Sequence, residues 1–172
     1  LIPLIKGKSQ EIQLTILHAL RDKSAPALAG PIADLLLHKN EEIASLASHF
    51  LINNASPSLL SMIVKAINKT KHLRVRQNLY LALGKIPDPL ALQTLLRGLK
   101  EKDEVIKINC ARSLQELGSE EAVSSLIESL KDPDETVRNE IIKTLVTIKP
   151  IKALLPALKH KNQLVVRGVI KA

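Results

Sequence analysis

The sequence predicts an all-α fold: a right-handed α-α superhelix, or solenoid, of about six helical hairpins. Three observations carry that expectation. An aliphatic residue recurs at Ile12, Ile43, Val75, Ile106, Val137 and Val166, at spacings of 31, 32, 31, 31 and 29 residues. A second apolar column runs upstream of each: Leu1 and Ile5, Ile32 and Leu36, Ile63 and Ile67, Leu95 and Leu99, Leu126 and Leu130, Leu154 and Leu158. The 172 residues are 45% apolar but include one Tyr, one Phe and no Trp. The core must therefore be aliphatic, which suits close-packed helices better than aromatic-rich sheets. Self-similarity at this period marks an array of small units that share one core.

The downstream column continues four residues on at Ile16, Ala47, Leu79, Cys110, Ile141 and Ile170. Eight residues on it holds Leu20, Leu51, Leu83, Leu114 and Leu145. Residues spaced by four share one face of a helix. Each unit thus reads as a first helix of roughly three turns, a short polar turn and a second helix. The units span about 1–23, 24–55, 56–87, 88–118, 119–148 and 149–172, and together form a single array. The third and sixth take a one-residue shift in the turn, which loops tolerate.

Boundary residues support each element in order. Pro3 in the first unit matches Pro156 in the sixth, within LIPLIK and LLPALK. Ser56-Pro57 opens the third unit and Asp88-Pro89 the fourth, each as an N-cap followed by proline at the first helical position. Gly118 fits a C-terminal cap of the fourth unit. Asp134 stands three residues before Val137, where it can cap the second helix of the fifth. The chain starts partway along a first helix and stops partway along a last one, without polar capping units. The expectation is a piece of a longer protein.

The stretch Asp134–Val137–Arg138, with the weaker Asp103–Ile106–Lys107 and with Val75-Arg76 and Val166-Arg167, resembles the HEAT repeat. More narrowly, it is similar to the short-unit HEAT-like class of prokaryotic scaffold proteins and phycobilin lyases. The resemblance covers the whole chain. It implies a hydrogen-bonded ladder between successive units, here Asp103, Asp134, Arg76, Lys107, Arg138 and Arg167. The same two columns read Ser9, Asn40, His72 and Gln163, and Gln13 and Ala44, elsewhere. The resemblance also implies that the second helices line a concave, ligand-facing side.

No catalytic or metal constellation accompanies this architecture. None of the five histidines, His18, His38, His49, His72 and His160, is followed by Glu. The His-Glu pairs that bind iron in HEAT-like hydroxylases are therefore missing. His18 and His49 share one register on neighbouring second helices, but no cysteine or carboxylate completes a metal set in that column. Cys110 falls in the core column and reads as a small buried residue. The acids Asp132, Asp134 and Glu135 lack the glycine and terminal glutamate of a calcium loop. Glycine-rich phosphate loops and the G-x-S-x-G elbow do not occur. The aromatic side chains that HEAT-like DNA glycosylases use are lacking too. The expectation is no enzyme, no cofactor, no metal and no small-molecule substrate.

One cysteine excludes an internal disulfide, and no apolar run reaches the ~18 residues that span a bilayer. A cytoplasmic location is expected. Net charge is +8, distributed as +7 over residues 1–100, −5 over 101–148 and +6 over 149–172.

Two surfaces are candidates for binding. The first is the exposed strip of the second helices, with His18, His49, Asn78, Asn109, Arg112, Asn139 and Lys143 as contacts for a protein or peptide partner. The second, an alternative, is a lysine ridge at the ends of the first helices: Lys6, Lys69, Lys100, Lys131 and Lys159. Lys8, Lys39, Lys71, Arg74, Lys102 and Lys161 add charge on the same turns. Such a ridge suits a nucleic acid or an acidic membrane surface. It also has a plain structural explanation, since cations at helix C-termini interact favourably with the dipole.

Overall fold

The computed structural model describes residues 1–7 and 9–172; Lys8, counted above among the basic turn residues, lies outside the described residues. Twelve α-helices in six pairs account for the fold, and no strand occurs among the described residues. The first helices of the pairs are α1 (Ile2–Ile5), α3 (Ala29–Ala33), α5 (Leu60–Lys69), α7 (Pro89–Gly98), α9 (Val123–Ser129) and α11 (Ile151–Ala157). The second helices are α2 (Gln10–Leu20), α4 (Glu41–Asn54), α6 (Leu73–Leu83), α8 (Glu104–Leu117), α10 (Glu135–Ile148) and α12 (Gln163–Lys171). The chain divides into two compact units, Leu1–Ala91 and Leu92–Ala172.

The turns are built by side chains that satisfy helix N-terminal amides. Asp103, Asp134 and Ser9 each accept a hydrogen bond from the amide three residues on, at 2.9, 2.8 and 3.4 Å. Asn40 accepts from the Glu42 and Ile43 amides, and Asp88 from that of Leu90. Ser56 precedes Pro57 as expected, but its hydroxyl contacts Ser58 Oγ at 2.9 Å and caps no amide. The reason is local: Pro57 opens a 3-10 turn, Pro57–Leu59, before α5 begins. Gly118 ends α8 in the left-handed region at φ 60°, where a side chain would be strained.

In the first unit α2 packs on α4 and α4 on α6, while α3 and α5 pack on the second helices of their own pairs. The shared core is Leu17, Ile32, Leu36, Ile43, Ala47, Leu51, Ile63, Ile67, Val75, Leu79 and Leu83, with Phe50 beside it. One buried polar side chain of this unit ties two pairs together. Asn54 donates to Lys23 O at 2.9 Å and accepts from the Ala25 amide at 2.7 Å. At α2 the buried face is turned by one residue from the expected Ile12 and Ile16. Gln13 and Leu17 are buried and Ile12 is 42% exposed. The Gln13 amide donates to Ile5 O and Gly7 O at 2.8 and 3.0 Å, which draws that position inward.

In the second unit α8 packs on α10, α10 on α12, and α9 on α11 and α12. Leu95, Leu99, Ile106, Cys110, Leu114, Leu126, Leu130, Val137, Ile141 and Leu145 are buried as the columns expect. Burial raises the Cys110 thiol well above its ordinary pKa, with the Glu101 carboxylate adding to the effect. The sixth pair corrects the expected register. Asn162, not Gln163, caps α12, through a 2.8 Å bond from the Leu164 amide, because a short side-chain oxygen reaches the helix start better than glutamine does. The buried residues are accordingly Val165 and Val169, and Ile170 is 70% exposed. Gly168 lies against Leu130, so close that a Cβ would come within 2.7 Å of its Cδ2. In the first and sixth pairs Leu1 and Leu158 are exposed.

The expected ladder residues divide into several roles. Asp103 and Asp134 cap their own helices. Arg138 turns back onto its own pair and donates to Asp132 O and Pro133 O, both at 2.7 Å. Lys107 crosses to the next pair, where its Nζ lies 2.6 Å from Asp132 Oδ2, with the two side chains only 13% and 11% exposed. Arg76 is half-buried on α6, and Arg167 is exposed on α12.

Removing one member of a largely buried pair strands the other charge, whereas surface pairs contribute little. Lys107→Met is therefore expected to destabilise the chain by about 2–3 kcal/mol. Lys131→Met, which breaks the exposed 2.9 Å contact to Glu128, should cost less than about 0.5 kcal/mol. Urea unfolding of the two variants measures the contrast; equal costs would count against the buried pair as a seam.

Candidate functional site

Measured from the buried residue near the start of each second helix, the positions two, three and six further on face away from the core. They do not all face solvent. On α6 and α10 the third position reaches back to the preceding second helix of the same unit. Asn78 on α6 donates to Ser48 Oγ on α4 at 3.0 Å and to Ser45 O at 3.4 Å. Leu46 is buried, and Asn109 on α8 is only 6% exposed. Glu140 on α10 is 9% exposed and accepts two bonds from Arg112 on α8, from Nε to Oε1 at 3.0 Å and from Nη2 to Oε2 at 3.3 Å. The expectation that Asn109 offers a free contact is thus corrected. Within each unit successive second helices pack close enough that the third position is drawn out of solvent.

In the first unit the remaining strip is lined with histidine–carboxylate contacts between neighbouring pairs. His18 Nε2 lies 3.4 Å from Glu42 Oε1, His49 Nε2 lies 3.2 Å from Asp22 Oδ1, and His72 Nδ1 lies 3.5 Å from Glu41 Oε2. His18 and His49 thus face different carboxylates. A shallow depression of about 450 Å³ is lined by His49, Asn78, Arg21, Arg74, Glu41, Glu42, Ser45 and Leu46. Among the described residues no group of three or more His, Cys, Asp or Glu is arranged to hold a metal ion.

In the second unit Arg112, Asn139 and Lys143 are exposed on α8 and α10. Lys143 Nζ stands 3.7 Å from Glu140 Oε2, beyond hydrogen-bond range but within reach of its charge. Asn139 opens onto a groove of about 200 Å³ between α10 and α12, lined also by Arg138, Ile142, Leu164, Arg167 and Lys171. Sequence reading missed Arg167 and Lys171 as strip residues because it set α12 one residue late. The signal that finds them is Asn162, the better cap.

The lysine ridge is exposed at Lys6, Lys69, Lys100, Lys131 and Lys159, but acids accompany it. Lys6 lies 3.4 Å from Asp34 Oδ2. Lys100, Lys107 and Lys131 line one cavity of about 540 Å³ together with Glu101, Glu128 and Asp132. Glu128 also lies 3.3 Å from His160 Nε2. Its carboxyl is held below the usual range, first by the Lys131 hydrogen bond and then by the Lys131 charge and His160. The Glu140 carboxyl is likewise lowered, mainly by its hydrogen bond from Arg112, against the opposing effect of burial.

A carboxyl whose pKa is depressed by folding stabilises the fold above its unfolded pKa, and that contribution is lost as pH falls through the folded value. Glu140→Gln should therefore cost about 1 kcal/mol at neutral pH, the exposed Arg112 half of the pair being screened by solvent. The gap between the variant and the parent chain should close on acidification from about pH 5 towards pH 3. Thermal unfolding of both across that range measures it, and a gap that does not narrow would remove the ion pair as its source.

The family model described as HEAT repeats matches residues 32–108 and again 95–172. Among solved structures, an engineered protein from a structural genomics consortium is similar over 99% of this chain and 92% of its own, with a TM-score of 0.59 at 18% identity. A designed armadillo repeat protein in complex with the peptide (KR)4 is similar over 99% of this chain and 95% of its own, with a TM-score of 0.59 at 14% identity. A second designed armadillo repeat protein gives 99%, 95% and 0.55 at 18% identity. At these identities the likeness is one of fold. A sequence comparison with curated proteins returned no match. The family model covers most of a sequence that folds as paired helices with recurring caps, and the chain belongs to the HEAT-repeat family.

Proposed function

We propose that this chain is a non-catalytic interaction scaffold that holds a segment of another protein, or a peptide, on the exposed strip of its second helices. The observation that carries this reading is the pairing of polar strip residues, half-buried in the first unit and exposed in the second, with open grooves. His49 and Asn78 line one in the first unit, and Asn139 lines one in the second. Open grooves floored by isolated aliphatics such as Leu46, Ile142 and Leu164 suit a chain laid along them better than an enclosed small molecule. The designed armadillo neighbour in complex with (KR)4 supports a peptide as the kind of partner.

Within this reading, His18, His49, Arg112, Asn139 and Lys143 are the contact residues, with Asn78 at the groove edge where its bond to Ser48 leaves it half-buried, and neither a cofactor nor a catalytic group takes part. Among the described residues no helix is long and apolar enough to cross a membrane, and we place the scaffold in the cytoplasm. The lysine ridge is the weaker candidate, because Asp34, Glu101, Glu128 and Asp132 share its surface with the lysines. Phosphate-tracking surfaces carry an uninterrupted positive field.

Two variants separate the surfaces. Peptides captured by the chain on an array of mixed composition should lose at least about tenfold in affinity to Asn139→Trp/Lys143→Glu, which blocks and recharges the strip. The same peptides should bind Lys69→Glu/Lys100→Glu/Lys159→Glu within about twofold of the parent chain. Loss confined to the lysine variant would overturn the reading in favour of the ridge.

A further inference from the structure

We infer that the strip of the second unit selects an acidic segment in the extended polyproline II conformation, with a carboxylate at every third residue; this rests on the scaffold reading above and names its partner. With α12 in its observed register, the sixth position on three successive second helices holds Arg112, Lys143 and Lys171. The second position on α12 adds Arg167. All four side chains are exposed. Among the second, third and sixth positions of this unit the one carboxylate is Glu140, buried beneath Arg112 and approached by Lys143; Glu135 also lines the groove, where Arg138, Arg167 and Lys171 outnumber it. Arg167 and Lys171 have no ion pair or side-chain hydrogen bond among the described residues, and both open onto the groove floored by Ile142 and Leu164. Arg112 spends Nε and one terminal nitrogen on Glu140 and keeps the other for a ligand.

Spacing sets the ligand's shape. Packed helices lie about 8–10 Å apart, so one cation follows another at roughly that distance along the strip. A polyproline II segment has three residues per turn and a rise of about 3.1 Å, which repeats one face every ~9 Å. A flat β-strand would turn alternate carboxylates away. The selectivity is confined to this unit: in the first unit the sixth positions on α4 and α6 are His49 and Leu81 and that on α2 is Ala19, beside His18, and Glu42 and Asp22 stand against the two histidines. Nucleic acid is the less suited anion, because no aromatic side chain on the strip can stack a base.

Fluorescence anisotropy with the intact chain at ~0.15 M salt, where long-range attraction is screened, tests this. The probes are labelled Glu-Pro-Pro-Glu-Pro-Pro-Glu, its isomer with three adjacent glutamates, the lysine analogue of the first, and an oligothymidylate of equal charge. The spaced acidic peptide should bind at least tenfold more tightly than its isomer and show no rivalry from the oligonucleotide. Arg167→Glu/Lys171→Glu, and separately Lys143→Gln, should erase that preference with an unchanged circular dichroism spectrum. Equal binding of the two isomers, equal binding of the oligonucleotide, or indifference to these variants would overturn the inference. Should the strip bind neutral or basic peptides that Asn139→Trp/Lys143→Glu releases while the spaced acidic peptide fails, the scaffold reading stands and this one falls. Failure of every peptide would remove both.

Discussion

Every part of this molecule depends on one constraint: a two-helix hairpin of about 30 residues has too little apolar surface to bury on its own. An isolated helix of three turns is marginal in water, and two such helices still leave one face of the pair wet. Stacking removes that face from solvent. Val137 and Ile141 are buried because α8 lies against α10, and Val75 and Leu79 because α4 lies against α6. At about 25 cal/mol per Å² of apolar surface, these seams supply the driving force that no single pair possesses.

Stacking brings backbone and side-chain polar groups into the seams, and the chain has a distinct device for each. Aspartate and asparagine caps satisfy the amides at the start of the second helices. Arg138 and Gln13, at one position of different pairs, satisfy turn carbonyls of their own hairpin. Lys107 and Asp132 form a largely buried ion pair across neighbouring pairs. Such a pair adds little net stability over apolar packing, but it penalises any stacking that leaves either charge alone. The third position of the second helix carries the rest, as Asn78 onto Ser48 in the first unit and Glu140 onto Arg112 in the second. What is left over for a partner is the exposed second and sixth positions.

How far the site was legible depends on the kind of interaction that sets each residue. Val137, Ile106, Val75 and Ile43 repeat because burial repeats, and periodicity reveals them directly. Asp134 and Gly118 are legible for a local reason, since a cap needs only the neighbouring turn. The errors arose where a contact from another helix decided the outcome. Two aliphatic pairs, Val165 with Val169 and Val166 with Ile170, fit the helical period equally well. Asn162 and the close approach of Gly168 to Leu130 chose the first. Asn109 reads as a surface amide by composition, yet it is buried.

The sequence by itself determined that this chain is a stack of helical pairs, because period, caps and aliphatic composition are properties of short stretches and of their repetition. It also determined the blocks of charge along the chain, which are a matter of counting. Only the tertiary structure decided which polar residues are spent and which are free. Glu140 is consumed by Arg112, and Lys107 by Asp132, while Arg167 and Lys171 meet Asn139 across one groove. The physical reason is that a helix face is fixed by sequence to within one residue, about 100° of rotation. Only packing against the neighbouring pair removes that last ambiguity.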